Sequence, residues 1–129
     1  VAHCPSGQLS MELLNAQING AEIIQHKAGY NNVIKARCRE YAQKNNFLEI
    51  PFGMTCTEAV IQTANQVLNI PSDVKRIVIT VGSGMNLAGL LYGMLNTNIS
   101  IPVLGICVGA DPIKTLDKFA PFQWRNNVE

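Results

Sequence analysis

Hydrophobic and polar positions along the chain form two alternating patterns: short apolar runs, and longer stretches with apolar residues three or four apart. The longer stretches predict amphipathic helices. The short runs predict β-strands at residues 1–4, 22–25, 47–52, 77–81 and 101–108. Strands that alternate with helices are typical of βαβ crossovers, so the order predicts an α/β fold. We expect a parallel sheet of about five strands with helices on both faces, folded as a single domain over residues 1–129.

A strand, a glycine turn and a helix follow one another in the middle of the chain. Residues 77–81 are mostly apolar and β-branched, which is typical of a strand buried on both faces of a parallel sheet. Gly82-Ser83-Gly84 ends the strand, and we expect Gly84 to adopt a positive φ. One face of the following helix carries the apolar residues Leu87, Leu90, Leu91, Met94 and Leu95. Gly93, inside that helix, should tolerate alanine if no neighbour packs against it.

This glycine turn joins the carboxyl end of a strand to the amino end of a helix, where backbone N–H groups lack intrahelical partners and attract anions. Two glycines allow a ligand to approach, and Ser83 and Asn86 add side-chain donors, so the turn predicts a phosphate-ester site. A turn that binds nothing is the alternative, because a single glycine motif is weak evidence. A nucleoside triphosphate loop needs a lysine at the helix start, and this turn has none, which argues against ATP or GTP. A dinucleotide loop needs a glycine where Leu87 stands, so that motif fits poorly as well.

A second turn, Gly53-Met54-Thr55, also joins a predicted strand to a predicted helix. Thr55 and Glu58 have the spacing of a capping box, in which each side chain accepts a hydrogen bond from a backbone N–H. The helix is predicted to turn four apolar residues inward: Val60, Ala64, Val67 and Leu68. Because ligands of parallel sheets bind outside the carboxyl ends of the strands, both turns should face the same crevice.

Composition and charge exclude several classes of function. The chain of 129 residues is 47% apolar, enough for a packed core, and its formal net charge is +1. It has no basic stripe interleaved with aromatic residues, so it does not indicate nucleic-acid binding. We also expect no membrane segment, because no apolar run approaches about 18 residues, and no secretion signal stands out.

Cysteine and histidine residues are the remaining candidates for chemistry. Cys4, Cys38, Cys56 and Cys107 have no C-x-x-C spacing and predict buried free thiols in a reducing cytoplasm, with a disulfide or a metal site as the alternative. His3 and His26 have no further ligand at helical spacing. We therefore expect ordinary surface or core histidines and no metal site.

An ordered series of short motifs covers most of the chain. The series is Gly20-Ala21-Glu22, Ile50-Pro51-Phe52-Gly53, residues 81–89 (VGSGMNLAG) and Val103-Leu104-Gly105-Ile106. It resembles the fold type II pyridoxal-phosphate-dependent enzymes, the tryptophan synthase β-like group. Within that group it is most similar to the branch of 1-aminocyclopropane-1-carboxylate deaminase and D-cysteine desulfhydrase. The resemblance runs from about residue 20 to residue 111.

The resemblance implies a three-layer αβα fold and pyridoxal phosphate as the cofactor. The family's phosphate loop corresponds to five residues here: Gly82, Ser83, Gly84, Met85 and Asn86. Its loop beside the substrate corresponds to Gly53, Met54 and Thr55. Family members usually have a second glycine and a serine where Met54 and Thr55 stand, so this chain departs from the family on the substrate side.

The resemblance also implies that the catalytic residues lie outside this chain. The family's Schiff-base lysine comes before the matching region, and the group that pairs with the pyridine nitrogen comes after it. No lysine here stands in the family's lysine motif: Lys27, Lys35, Lys44, Lys75, Lys114 and Lys118. The chain also begins at Val1, without a methionine. We therefore expect a central fragment, one part of a split enzyme, or a degenerate relative, with the catalytic residues unidentified.

Three functions stay open from the sequence. The first is a pyridoxal-phosphate-dependent lyase or deaminase of amino-acid metabolism, in the cytoplasm, acting on a small amino acid. This chain would supply the phosphate-binding part and would be inactive alone, with a second copy or the missing segments of the enzyme as its partner. The second is a noncatalytic module that binds a phosphorylated small molecule or a partner protein through the same crevice. The third is a structural domain whose turn binds nothing.

Overall fold

The chain forms short parallel strands packed with helices in two compact units. The structure is a computed structural model that describes residues 1–27, 29–109 and 111–129. The N-terminal unit comprises residues 1–52 and the C-terminal unit residues 53–129. The N-terminal unit contains β1 (Ala2–Pro5), α1 (Met11–Ile18), β2 (Ile23–His26) and α2 (Asn31–Lys44). The C-terminal unit contains α3 (Thr57–Ala64), β3 (Ile77–Val81), α4 (Met85–Asn96), β4 (Val103–Cys107) and α5 (Ile113–Phe119).

The strands form two separate parallel pairs. In the N-terminal unit β1 pairs with β2, and in the C-terminal unit β3 pairs with β4. The expected α/β class and the parallel pairing are therefore confirmed. The prediction of one sheet of about five strands is wrong, because the described residues form two sheets of two strands each. The single domain over residues 1–129 stays a prediction.

The segment 47–52, predicted as a strand, forms no ladder in the described structure. Its apolar side chains are largely exposed, with Leu48 at 91% and Ile50 at 69%, so no second layer buries them. Pro51 lacks the N–H that a ladder position needs, and Asn46 just before the segment has a left-handed backbone with φ 54°. A strand gains its stability from its neighbours, and here the neighbouring strand is missing. A short 3₁₀ turn follows at Phe52–Met54.

Helix α1 of the N-terminal unit begins and ends at local sequence signals. The Ser10 side chain accepts a hydrogen bond from the N–H of Leu13 at the start of α1. Gly20, with φ 90°, lets the chain leave the helix end in a left-handed conformation. In α2, Ala42 is buried on the predicted apolar face, and the charged residues of the helix are exposed, as expected.

The core of the C-terminal unit forms around α4, which is buried on most sides. Leu87, Leu91 and Met94 are each at most 3% exposed, and they pack with Val81 and Val103 from the two strands. The strand predicted at residues 77–81 and the helix after it are thereby confirmed. The inner face of β3 packs on this core, but on its outer face Val78 is 63% exposed. The expected burial of β3 on both faces is therefore wrong.

Three details of the helices differ from expectation. Helix α3 begins at Thr57 with Cys56 as its N-cap residue, so the capping box predicted from Thr55 and Glu58 is out of position. The helix tightens into a 3₁₀ turn at Asn65–Asn69, which rotates Leu68 outward to 73% exposure. Leu95 is 63% exposed near the end of α4.

Helices α3 and α4 approach each other closely because two glycines of α4 face α3. A Cβ added at Gly89 would lie 2.6 Å from Cγ2 of Thr63, and one added at Gly93 would lie 2.6 Å from Cγ2 of Val67. The Gly93 Cβ would also overlap the carbonyl oxygen of Ala64. A neighbour does pack against Gly93, so the condition under which alanine would be tolerated there is not met.

The end of the chain completes the C-terminal unit. Val103 and Val128 form a parallel bridge, and the N–H of Gly105 donates to the carbonyl oxygen of Glu129 at 3.0 Å. The indole N–H of Trp124 donates to Asp117 of α5 at 3.1 Å, which holds the preceding turn in place. The second edge of β4 is therefore partly paired, which satisfies its backbone donors and acceptors.

We predict that Gly93→Ala destabilises the C-terminal unit. The added methyl group overlaps backbone of α3, and overpacking of this kind costs about 1–3 kcal/mol, more than the gain of about 1 kcal/mol in helix propensity. Denaturant unfolding of the full chain measures the change. Asn96→Ala, on an exposed position of the same helix, is the control and should change the free energy of unfolding by less than about 0.5 kcal/mol. Equal stability of Gly93→Ala and the wild type would show that the helices do not pack this closely.

Candidate functional site

The glycine turn at residues 82–84 connects the carboxyl end of β3 to the amino end of α4. Gly84 is the N-cap residue of α4 and has a left-handed backbone, with φ 88° and ψ −8°. A residue with a Cβ is strained in this conformation, so the glycine allows the chain to enter the helix at this angle. The positive φ expected at Gly84 is confirmed.

Backbone N–H groups at the start of α4 form the donor side of the turn. The carbonyl of Gly84 accepts from the N–H of Ala88 at 2.9 Å, which is the first intrahelical bond. Intrahelical acceptors are lacking for the N–H groups that precede that bond, those of Met85, Asn86 and Leu87. The hydroxyl oxygen of Ser83 lies 3.5 Å from the N–H of Met85, a long and weak contact. These groups lie at the positive end of the helix dipole.

The second turn lies against the first. A Cβ added at Gly53 would lie 3.4 Å from Cβ of Ser83, so the backbone of Gly53 packs directly on that side chain. Gly53 and Met54 are both left-handed, with φ 71° and 52°, and the Met54 side chain is 52% exposed. The two turns therefore meet at one place, as expected from the order of the elements.

Together the turns line a cleft of about 590 Å³ in the C-terminal unit. The lining includes all five predicted phosphate-loop residues, Gly82 to Asn86, and Gly53 and Met54 from the second turn, but not Thr55. It also includes three residues of α3 that share one helix face: Ala59, Gln62 and Thr63. None of the described residues that line the cleft is charged. An anion there would be held by dipoles and hydrogen bonds, not by an ion pair.

Sequence reasoning missed the residues of α3 and the support behind Gly84. Ala59, Gln62 and Thr63 have helical spacing, but only the packing of α3 on α4 turns them toward the cleft. Behind the turn, a Cβ added at Gly84 would lie 3.1 Å from Cβ of Pro112 and 3.4 Å from Cγ of Leu116. The start of α5 therefore closes the space behind Gly84, a long-range contact that has no local sequence signal.

The cysteines are only partly as expected. All four cysteines are free thiols, but only Cys4 is buried, and Cys107, at the end of β4, is exposed. Within the described ranges, no three His, Cys, Asp or Glu side chains are grouped as metal ligands would be. Among the same residues, no helix has both the length and the apolar character needed to cross a bilayer.

Comparison with known proteins adds no relative. No family model, no curated protein and no solved structure matches the chain. The geometry of the cleft and the motifs in the sequence are therefore the features that indicate a function.

We predict that Gly84→Ala lowers the free energy of unfolding by about 1–3 kcal/mol, because it combines a strained left-handed backbone with a tight contact to Pro112. Thermal or denaturant unfolding measures the loss. Gly82→Ala is the matched control: nothing lies within 4 Å of a Cβ added there, and its φ is not in the left-handed region. If the two variants were equally stable, Gly84 would not need its left-handed conformation.

Proposed function

We propose that the C-terminal unit binds the phosphate group of a phosphorylated small molecule at the glycine turn, and that this molecule is pyridoxal phosphate. The observation that carries the proposal is the left-handed Gly84 at the start of α4, on the lining of a cleft of about 590 Å³. Helix starts preceded by glycine turns are common anion sites. The resemblance of the motifs to fold type II enzymes supports the choice of cofactor.

The residues present fit the phosphate end of such a ligand. The N–H groups of Asn86 and Leu87 would donate to phosphate oxygens, and the Ser83 hydroxyl, which now contacts Met85 only weakly, could turn to donate as well. The cleft volume lies within the range of about 300–1,000 Å³ that small-molecule sites occupy. Its apolar side at Met54 and its polar side at Gln62 and Thr63 suit a ring with polar substituents.

The residues present do not supply an amine for the aldehyde end. No lysine is among the described residues that line the cleft. Lys75 is exposed and precedes β3, so it lies about 20 Å from the carboxyl end of that strand at about 3.3 Å per residue. Lys118 of α5 lies over the ring of Phe119, 4.8 Å from its centroid. We therefore expect the Schiff-base lysine to come from outside this chain.

The proposal therefore divides the chemistry between this chain and a further segment. Pyridoxal phosphate, when bound, supplies an electron sink for the bonds of an amino acid. This chain binds and orients the phosphate and shields one side of the site. A lyase or deaminase that acts on a small amino acid would need its amine and its carboxylate-binding group from the rest of a longer enzyme or from a second copy. Free thiols at all four cysteines are consistent with a reducing cytoplasm.

The second candidate is a noncatalytic module that binds a phosphorylated small molecule. The observation that favours it is the lack of any lysine among the described residues of the cleft. The two candidates share the glycine turn and differ in what the ligand's other end meets. Titrations with inorganic phosphate and with pyridoxal phosphate distinguish the two candidates, because only a site built for the cofactor should bind pyridoxal phosphate more tightly than inorganic phosphate.

We predict that inorganic phosphate and pyridoxal phosphate shift the amide resonances of residues 82–87, and that pyridoxal without its phosphate does not. Gly82→Asp should weaken binding at least tenfold, because a carboxylate about 4 Å from the anion costs up to about 4 kcal/mol near a protein surface. This position is chosen because an added Cβ meets nothing within 4 Å, so the fold is unaffected. A titration followed by NMR gives the dissociation constants.

Gly82→Asn is the control for that substitution, since it has nearly the same size without the charge. It should keep binding within a few fold of the wild type. Unchanged amide resonances in the wild type at high phosphate would mean that the turn binds no anion and is structural. Equal affinity for phosphate and pyridoxal phosphate would favour the noncatalytic module.

We also predict that the isolated chain forms no stoichiometric covalent adduct with pyridoxal phosphate after borohydride reduction. No amine lines the described cleft, so lysines should be labelled weakly and in proportion to their exposure. Peptide mapping by mass spectrometry measures the occupancy at each lysine, with the Gly82→Asp variant as the background. Full labelling of one lysine at low cofactor concentration, lost in that variant, would show that this chain contains its own catalytic amine.

A further inference from the structure

The two histidines of the chain form a bonded pair in the N-terminal unit. Nδ1 of His3 lies 2.8 Å from Nε2 of His26, and the two rings are nearly coplanar, with centroids 5.0 Å apart and an interplanar angle of 12°. His3 on β1 is opposite Ile24 on β2, so His26, two residues further, lies on the same face of the pair of strands. The side-chain bond therefore joins β1 to β2 in addition to the backbone ladder.

The bond between the rings depends on pH because it depends on how many protons the four ring nitrogens carry. One proton lies between Nδ1 of His3 and Nε2 of His26, and the outer nitrogens are Nε2 of His3 and Nδ1 of His26. The neutral pair has one outer proton. A pair that gains a proton and keeps its bond must have protons on both outer nitrogens, including Nε2 of His3. A second added proton leaves no acceptor between the rings.

The surroundings of His3 oppose the first added proton. Its Nε2 atom is shielded from solvent and has no hydrogen-bond partner within the described part of the chain, so an N–H there would be an unsatisfied donor. The favoured neutral state thus has Nδ1–H of His3 donating to His26, with Nε2 of His3 bare. Burial and then the nearby His26 lower the pKa of His3 below its ordinary value of 6.5, and Glu22 opposes this shift.

Apart from Glu22, the groups that face His3 supply no unpaired carboxylate. Tyr41 of α2 meets the His3 ring edge-on at 5.0 Å, and Cys38 of the same helix lines the adjoining cavity; neither residue carries a carboxylate. Glu49 lines that cavity too, but its carboxylate accepts from Arg39 at 3.1 Å. Lys35 lines a second cavity beside His3 and adds positive charge.

We propose that the His3–His26 pair is a pH-sensitive link between β1 and β2, which holds the N-terminal unit together when both rings are neutral and opens when they are protonated. The folded state disfavours the proton on His3 that the unfolded chain accepts near pH 6.5. The stability that the pair contributes is therefore fully present above about pH 6.5 and is lost as the pH falls through the lowered pKa of His3.

The experiment follows hydrogen exchange of the strand amides in the full chain from pH 7.5 to 5, corrected for the intrinsic exchange rate. Protection in β1 and β2 should fall by up to tenfold per pH unit for each proton taken up on opening. Protection in β3 and β4, whose unit contains no histidine, should stay constant and serves as a control in the same sample. A flat profile in β1 and β2 would overturn the proposal.

The variant His3→Gln/His26→Gln removes both titrating rings and should give a flat profile in β1 and β2. An unchanged slope in this variant would mean that carboxylates, not the pair, cause the pH dependence. If the variant does not fold, the ring ¹⁵N shifts of the wild type still decide the question. We expect Nε2 of His3 to be unprotonated at pH 7.5, and a protonated Nε2 there would contradict the proton count.

Discussion

The close packing of α4 on α3 is the contact on which the C-terminal unit depends. Gly89 and Gly93 have no side chains, so the backbones of the two helices meet almost directly. This contact fixes the axis of α4, and with it the position of the helix start relative to the end of β3. The same contact turns one face of α3, with Gln62 and Thr63, toward the glycine turn. The cleft is thus a consequence of helix packing that takes place a full turn or more away from it.

The elements that could be predicted from the sequence are those whose signals are local. β3 has a continuous apolar run, α4 has regular spacing, and Gly84 stands where a left-handed residue is needed, so all three were found. Residues 47–52 have an equally good apolar pattern but no strand beside them, and a strand without a partner does not form. The inward orientation predicted for Leu68 is wrong for a different reason, since a change from α to 3₁₀ pitch is not visible in the spacing of side chains.

The residues of the candidate site also differ in whether a local sequence signal identifies them. The residues of the two turns were identified from glycines at strand ends, and the rule that strand ends share an edge correctly brought the turns together. Pro112 and Leu116, which close the space behind Gly84, lie about 30 residues further along and could not be identified by any local rule. The pairing of His3 with His26 was missed as well, because it depends on the register of two strands and not on spacing along a helix.

Met54 shows that the second turn holds a side chain at a position where glycine would be less strained. Its left-handed backbone, φ 52°, costs a residue with a Cβ about 1–2 kcal/mol in the folded state. A glycine at this position would remove that strain, but it would also raise the conformational entropy of the unfolded chain by an amount worth about 0.4–1 kcal/mol. The difference favours glycine by about 0.6–1 kcal/mol. The methionine therefore adds a half-exposed apolar side chain to the cleft lining at a modest cost in stability.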